Sequence, residues 1–141
     1  MTTELMTLSR RAIACTNWRW MPGMKDMEGW RLYREVVGFT AQDKDGKTVT
    51  GWDAIGGEWE YHQVAHFPKL PDLSDPATLG CLLAIIREVY SDPCACVIPI
   101  DYGPAGVMWQ VRLTANGRQV TERHYTTEIE ALVAVLECAN E

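Results

Sequence analysis

Ser74-Asp75-Pro76-Ala77-Thr78-Leu79-Gly80-Cys81-Leu82-Leu83-Ala84-Ile85-Ile86-Arg87-Glu88-Val89-Tyr90 is the stretch whose reading decides the fold. Asp75 stands directly before a proline, and at the first helical position the amide hydrogen that proline lacks would have had no partner in any case. Leu79, Leu82, Leu83, Ile86, Val89 and Tyr90 then recur on one broad face, widened by Cys81 and Ile85, while Arg87 and Glu88 mark the wetter side. The spacing predicts a helix over residues 76–90, buried on more than one flank. Ser91-Asp92-Pro93 closes it.

Downstream, residues 95–102, 107–114 and 118–125 read as consecutive strands, the last two joined by the hairpin signal Ala115-Asn116-Gly117. Val107, Trp109, Val111 and Leu113 alternate with Met108, Gln110, Arg112 and Thr114, so one sheet face is expected to be core and the other polar. Thr127-Glu128-Ile129-Glu130 has the form of a capping box, in which hydroxyl and carboxylate each satisfy the other residue's backbone amide. It opens a helix over 127–138 whose stripe of Ile129, Leu132, Val133 and Leu136 is expected to lie on the sheet. The second half thus reads helix-strand-strand-strand-helix.

Upstream the signals are weaker. Residues 3–15 carry a rough apolar stripe of Leu5, Leu8, Ala12, Ile13 and Cys15 behind Thr2 or Thr3 as a cap. Pro22-Gly23 and Gly29 then punctuate a loop crowded with Trp18, Trp20, Met21, Met24, Met27 and Trp30, too apolar to be left in water. Residues 30–40 and 48–50 around the turn Asp43-Lys44-Asp45-Gly46-Lys47 suggest a hairpin. Residues 58–64 suggest a third strand, and Pro68-Lys69-Leu70-Pro71 a connector. Together the elements predict an α+β fold, a single domain over 1–141, with an antiparallel sheet of about five or six strands covered by two or three helices. Residues 1–70 would supply the first helix, the Trp/Met-rich loop and a hairpin, and residues 71–141 the helix-three-strand-helix module.

At 141 residues with 47% hydrophobic and 23% charged side chains, the chain can build a core without disulfides or a structural metal. Its five cysteines are odd in number and irregularly spaced, which points to a reducing cytoplasm. Ser9-Arg10-Arg11 has the look of an export signal, but Thr16-Asn17-Trp18-Arg19-Trp20 falls where an apolar segment would be needed. No apolar run approaches the roughly 18 residues of a membrane helix. Net charge is −6, yet the first forty residues hold Arg10, Arg11, Arg19, Lys25, Arg31 and Arg34 against Glu4, Asp26, Glu28 and Glu35, so the acidity lies in the remainder.

No convergent nucleophile, base and anion-binding set emerges, so enzymatic activity and cofactors are not expected. Cys94, Cys96, His62 and His66 carry the alternative, a small metal-binding protein or enzyme, though structural zinc sites space paired cysteines more widely than Cys94-Ala95-Cys96. Asp43-Lys44-Asp45-Gly46 resembles the middle of a calcium loop, but Trp52 takes the place of the bidentate glutamate, leaving a hairpin turn. The order of the second half is that of double-stranded-RNA-binding domains, but Glu128 and Glu130 replace the basic residues that would open the last helix. Single-stranded nucleic acid could be gripped by Arg10, Arg11, Arg19, Arg31 and Arg34 beside Trp18, Trp20 and Trp30. The preferred site is a protein-contact patch of Trp18, Arg19, Trp20, Met21 and Met24, residue types enriched at interfaces, provided they are exposed rather than core.

Three blocks carry a resemblance: Thr16-Asn17-Trp18-Arg19-Trp20-Met21-Pro22-Gly23-Met24, residues 70–83 from Leu70-Pro71-Asp72 to Cys81-Leu82-Leu83, and Thr127-Glu128-Ile129-Glu130-Ala131-Leu132-Val133. Together they resemble a group of small proteins of tailed bacteriophages and prophages that has no assigned function. The resemblance implies a phage or prophage origin and a host-cytoplasmic location, and carries no active site over. Phage accessory proteins of this size often occupy a host surface, so the expected partner is a host defence or regulatory complex rather than nucleic acid.

Overall fold

A computed structural model of the chain describes residues 2–56, 62–113 and 124–139. The order is α1 (Thr3–Ala14), β1 (Arg31–Gln42), β2 (Thr48–Ile55), β3 (His62–His66), α2 (Pro76–Val89), β4 (Cys96–Asp101), β5 (Val107–Arg112) and α3 (Glu128–Cys138), with a 3-10 turn at Gly103–Ala105. The α+β class stands, but among the described residues no sheet of five or six strands is formed. The described strands form two antiparallel sheets, one of order β1-β2-β3 and one pairing β4 with β5. The hairpin expected at residues 115–117 and most of the strand expected over 118–125 lie outside the described residues; at its end Tyr125 bridges Trp109.

α3 occupies the centre of the main core. Ala131 to Leu136 are six consecutive buried residues, so this helix is apolar all round and not on a single stripe. It packs against α1, α2, β4 and β5. The main core accordingly joins Leu8 and Ala12 of α1, Leu82, Ile85 and Ile86 of α2, Val111 of β5 and Leu132, Val133, Val135 and Leu136 of α3. Leu32, Trp52 and Ala54 form a second, smaller cluster within the three-stranded sheet. Trp20 packs against both.

The caps follow the sequence. The Thr2 hydroxyl accepts from Leu5 N (3.2 Å) and the Thr127 hydroxyl from Glu130 N (3.1 Å). The capping box is only half formed, because the Glu130 carboxylate takes the Thr126 hydroxyl (3.1 Å). Asp75 does more than cap. Its Oδ2 accepts from the Thr78 amide (3.0 Å) and hydroxyl (2.8 Å), and Arg31 grips both carboxylate oxygens at 2.8 Å. Arg31 also donates to the Gly23 carbonyl (2.7 Å), at a turn whose φ of +98° suits glycine, and Lys25 N donates to the Thr78 hydroxyl (2.8 Å).

β1 and β2 depart from expectation in a way that matters for function. Residues 51–57 are interrupted by glycine in the sequence, yet β2 runs on to Ile55 with Gly51 to Ala54 buried. On β1 the ladder breaks between Glu35, opposite Trp52, and Thr40, opposite Thr50, so residues 36–39 face the single residue Gly51. Such an excess bends the strand outward. Gly38 supplies the left-handed conformation (φ +85°) the bend requires.

The guanidinium of Arg31, with the Thr78 hydrogen bonds behind it, holds the Asp75 carboxyl well below the usual carboxylate range. A depressed folded-state pKa stabilises the fold fully above the unfolded value of about 3.9 and loses that contribution as pH falls through the folded value. Asp75→Ala, which removes cap and counter-charge together, is expected to cost about 2–3 kcal/mol at pH 7 in urea denaturation. Asp75→Asn keeps a capping oxygen, so its deficit against wild type should be largest at neutral pH and shrink steadily below about pH 4.

Candidate functional site

The Trp/Met-rich loop is stitched into the structure by two short antiparallel contacts. Gly23 N donates to Leu32 O and Leu32 N to Met24 O, both at 2.8 Å. Met27 N donates to Leu70 O (2.9 Å) and Asp72 N to Lys25 O (2.8 Å). The Ser9 hydroxyl of α1 donates to the Pro71 carbonyl (2.9 Å), fixing the same segment from the other side. The loop is therefore a joint between the helical core and the three-stranded sheet.

That joint settles which of the proposed contact residues reach solvent. Met24 is fully buried and Trp18 is 9% exposed, both in the main core; the apolar bulk that made them attractive as anchors is spent on packing. Trp20 and Met21 are partly buried against the same core, and Arg19 is exposed and paired with Glu88. Trp18 and Trp20 meet edge to face, centroids 5.6 Å apart. The Trp18 indole nitrogen is buried without a hydrogen-bond partner among the described residues.

Beside this pair lies an open cleft of about 710 Å³ between the end of α1 and β2. Trp18, Trp20 and Trp52 contribute aromatic surface; Arg10, Arg19, Lys47 and Lys69 are interleaved with Glu35, Asp43 and Asp45 around them. Neither sign dominates. A polyanion would meet three carboxylates there, whereas a protein segment presenting an apolar side chain flanked by both charges would find complements.

The bulge of β1 stands next to this cleft, since Glu35, Thr50 and Trp52, which frame it in the ladder, also line the cleft. It exposes Val37 at 95% and Phe39 at 52%. Sheet edges are usually protected by charge at such points; here the bulge presents apolar side chains. In the sequence Val37 and Phe39 fall within residues 30–40, expected as one strand of a hairpin. Gly38 between them was the available signal, because glycine inside a strand pattern marks a bulge.

The metal group suggested by the sequence does not assemble as expected. Cys94 is exposed and Cys96 partly buried at the start of β4, in the other sheet from His66, and among the described residues they do not converge on it. The side chain of His62 lies outside what is described. His66 is buried at the end of β3, its Nε2 on Asp26 Oδ2 and its ring 5.4 Å from that of Trp30. The other oxygen of Asp26 accepts from the amides of Glu28 (3.1 Å) and Trp30 (2.9 Å).

Met24→Ala should therefore behave as a core truncation, costing about 3 kcal/mol in chemical denaturation. Arg19→Ala removes only an exposed ion pair and should change stability by less than about 1 kcal/mol. Comparison with protein-family models, curated proteins and solved structures gave no match, so the geometry carries the functional reading alone.

Proposed function

We propose that this chain is a non-enzymatic protein-binding module, of phage or prophage origin, that acts in the host cytoplasm by occupying the surface of a host defence or regulatory complex. One observation carries the reading: Val37 and Phe39 stand in solvent on a glycine-formed bulge at the rim of a tryptophan-lined cleft. Fully burying a side chain of this kind is worth roughly 1.5–3 kcal/mol, and the described residues leave Val37 95% exposed. Scattered exposed apolar residues are common on protein surfaces. This pair differs in lying beside concave aromatic surface, with the charged turn Asp43-Lys44-Asp45-Gly46-Lys47 at its edge, the apolar centre and polar rim of a contact patch.

The contact residues of this reading are thus Val37, Phe39 and the rim of the cleft with Arg19 and Trp20. Trp18 and Met24 support them from beneath. Single-stranded nucleic acid fits less well, because Glu35, Asp43 and Asp45 share the cleft with its cations and Arg19 is committed to Glu88.

The test is affinity capture from bacterial host lysate with wild type and with the double variant Val37→Ser/Phe39→Ser, whose sites are exposed and whose folding should be intact by circular dichroism. A defined complex retained by wild type at moderate salt and lost with the double variant is the expected outcome. No stable partner, or equal recovery with both chains, would refute the proposal.

A further inference from the structure

Asp26, Glu28 and His66 bring three ligand atoms within 4.8 Å of one another, from a loop and a strand forty positions apart. Donors bound to one ion at about 2.0–2.2 Å lie roughly 3–4 Å from each other; Asp26 Oδ2 and His66 Nε2, hydrogen bonded directly, lie closer than that, so an entering ion would replace their shared proton and part them slightly. Asp26 and His66 are buried, whereas Glu28 is exposed and leaves the group open to solvent.

A buried carboxylate–imidazole pair alone would be explained as a stitch between loop and sheet. Two features exceed that explanation. Asp26 is aimed by its surroundings: both amide bonds fall on Oδ1, which leaves Oδ2 directed at the imidazole, the kind of outer hydrogen bonding that orients metal ligands. A second carboxylate also converges on the pair, although the cations flanking the loop are committed elsewhere, Lys25 to Asp72 at 3.6 Å and Arg31 to Asp75 at 2.8 Å. A dication held between the two carboxylates would offset both charges.

We propose that Asp26, Glu28 and His66 form a binding site for one divalent transition-metal ion of the zinc class. One imidazole nitrogen and two carboxylate oxygens suit zinc, manganese or iron, while calcium would demand six or more oxygens. The set keeps His66 from the sequence reading and replaces both thiols by carboxylates. With three protein ligands, the remaining positions would be open to water or to a partner's side chain.

The experiment uses the full chain, stripped with chelator and titrated separately with Zn2+ by calorimetry and with Co2+ by visible absorption. One ion per chain is expected, with ligand-field bands and no thiolate charge-transfer band. Glu28→Gln, at an exposed position, should leave metal-free thermal unfolding unchanged and weaken binding roughly tenfold or more; Cys94→Ser should bind as wild type does. Absence of saturable binding at micromolar protein, unchanged affinity in Glu28→Gln, or a cobalt–thiolate band lost in Cys94→Ser would each overturn the site.

Discussion

The bidentate grip of Arg31 on Asp75 is the constraint from which the rest of the arrangement follows. Asp75 begins α2 and Arg31 begins β1, so one ion pair fixes the first sheet against the helix at the centre of the sequence. The Thr78 hydroxyl extends the contact to the backbone of Lys25, and Arg31 reaches the carbonyl of Gly23. An exposed ion pair contributes little to stability. This one gains from being planar, doubly hydrogen bonded and joined to a helix cap, with the carboxylate buried.

Around this pair the molecule divides its apolar residues unequally. The helices and β4-β5 enclose the main core, while among the described residues the three-stranded sheet keeps Leu32, Trp52 and Ala54 for itself. Trp20 spans the two, and the loop that bears it is tied by backbone hydrogen bonds to both neighbours. A sheet with so small a core of its own can present apolar side chains outward where a larger one would bury them. The exposed β1 bulge and the aromatic cleft both lie on this sheet.

The sequence was most legible where local chemistry settles the outcome. Asp75-Pro76 and Thr127 open helices as their caps require, and α1 runs from the expected threonine. Tertiary partners decided the rest. Periodicity assigned α3 a single stripe, because nothing in residues 127–138 says that α1, α2 and both strands of the second sheet meet there. Gln110 sits on the face expected to be polar and is buried all the same. Of the five contact residues inferred from composition, Trp18 and Met24 proved to be core, since tryptophan and methionine serve packing and recognition equally well and only the fold distinguishes the two uses. Asp26 and Glu28 gave no signal as a pair, because their partner His66 lies forty residues away.

The central position of α3 has a consequence for the birth of the protein. Arg11 on the first helix pairs with Glu137 on the last, 126 positions along the chain, and Leu8 and Ala12 pack in the core that α3 completes. During synthesis the ribosome releases α1, the first sheet and α2 long before their keystone exists. Until it emerges, Ile85, Ile86 and Leu82 have only an unfinished interface to cover them, so the core closes through contacts distant in sequence.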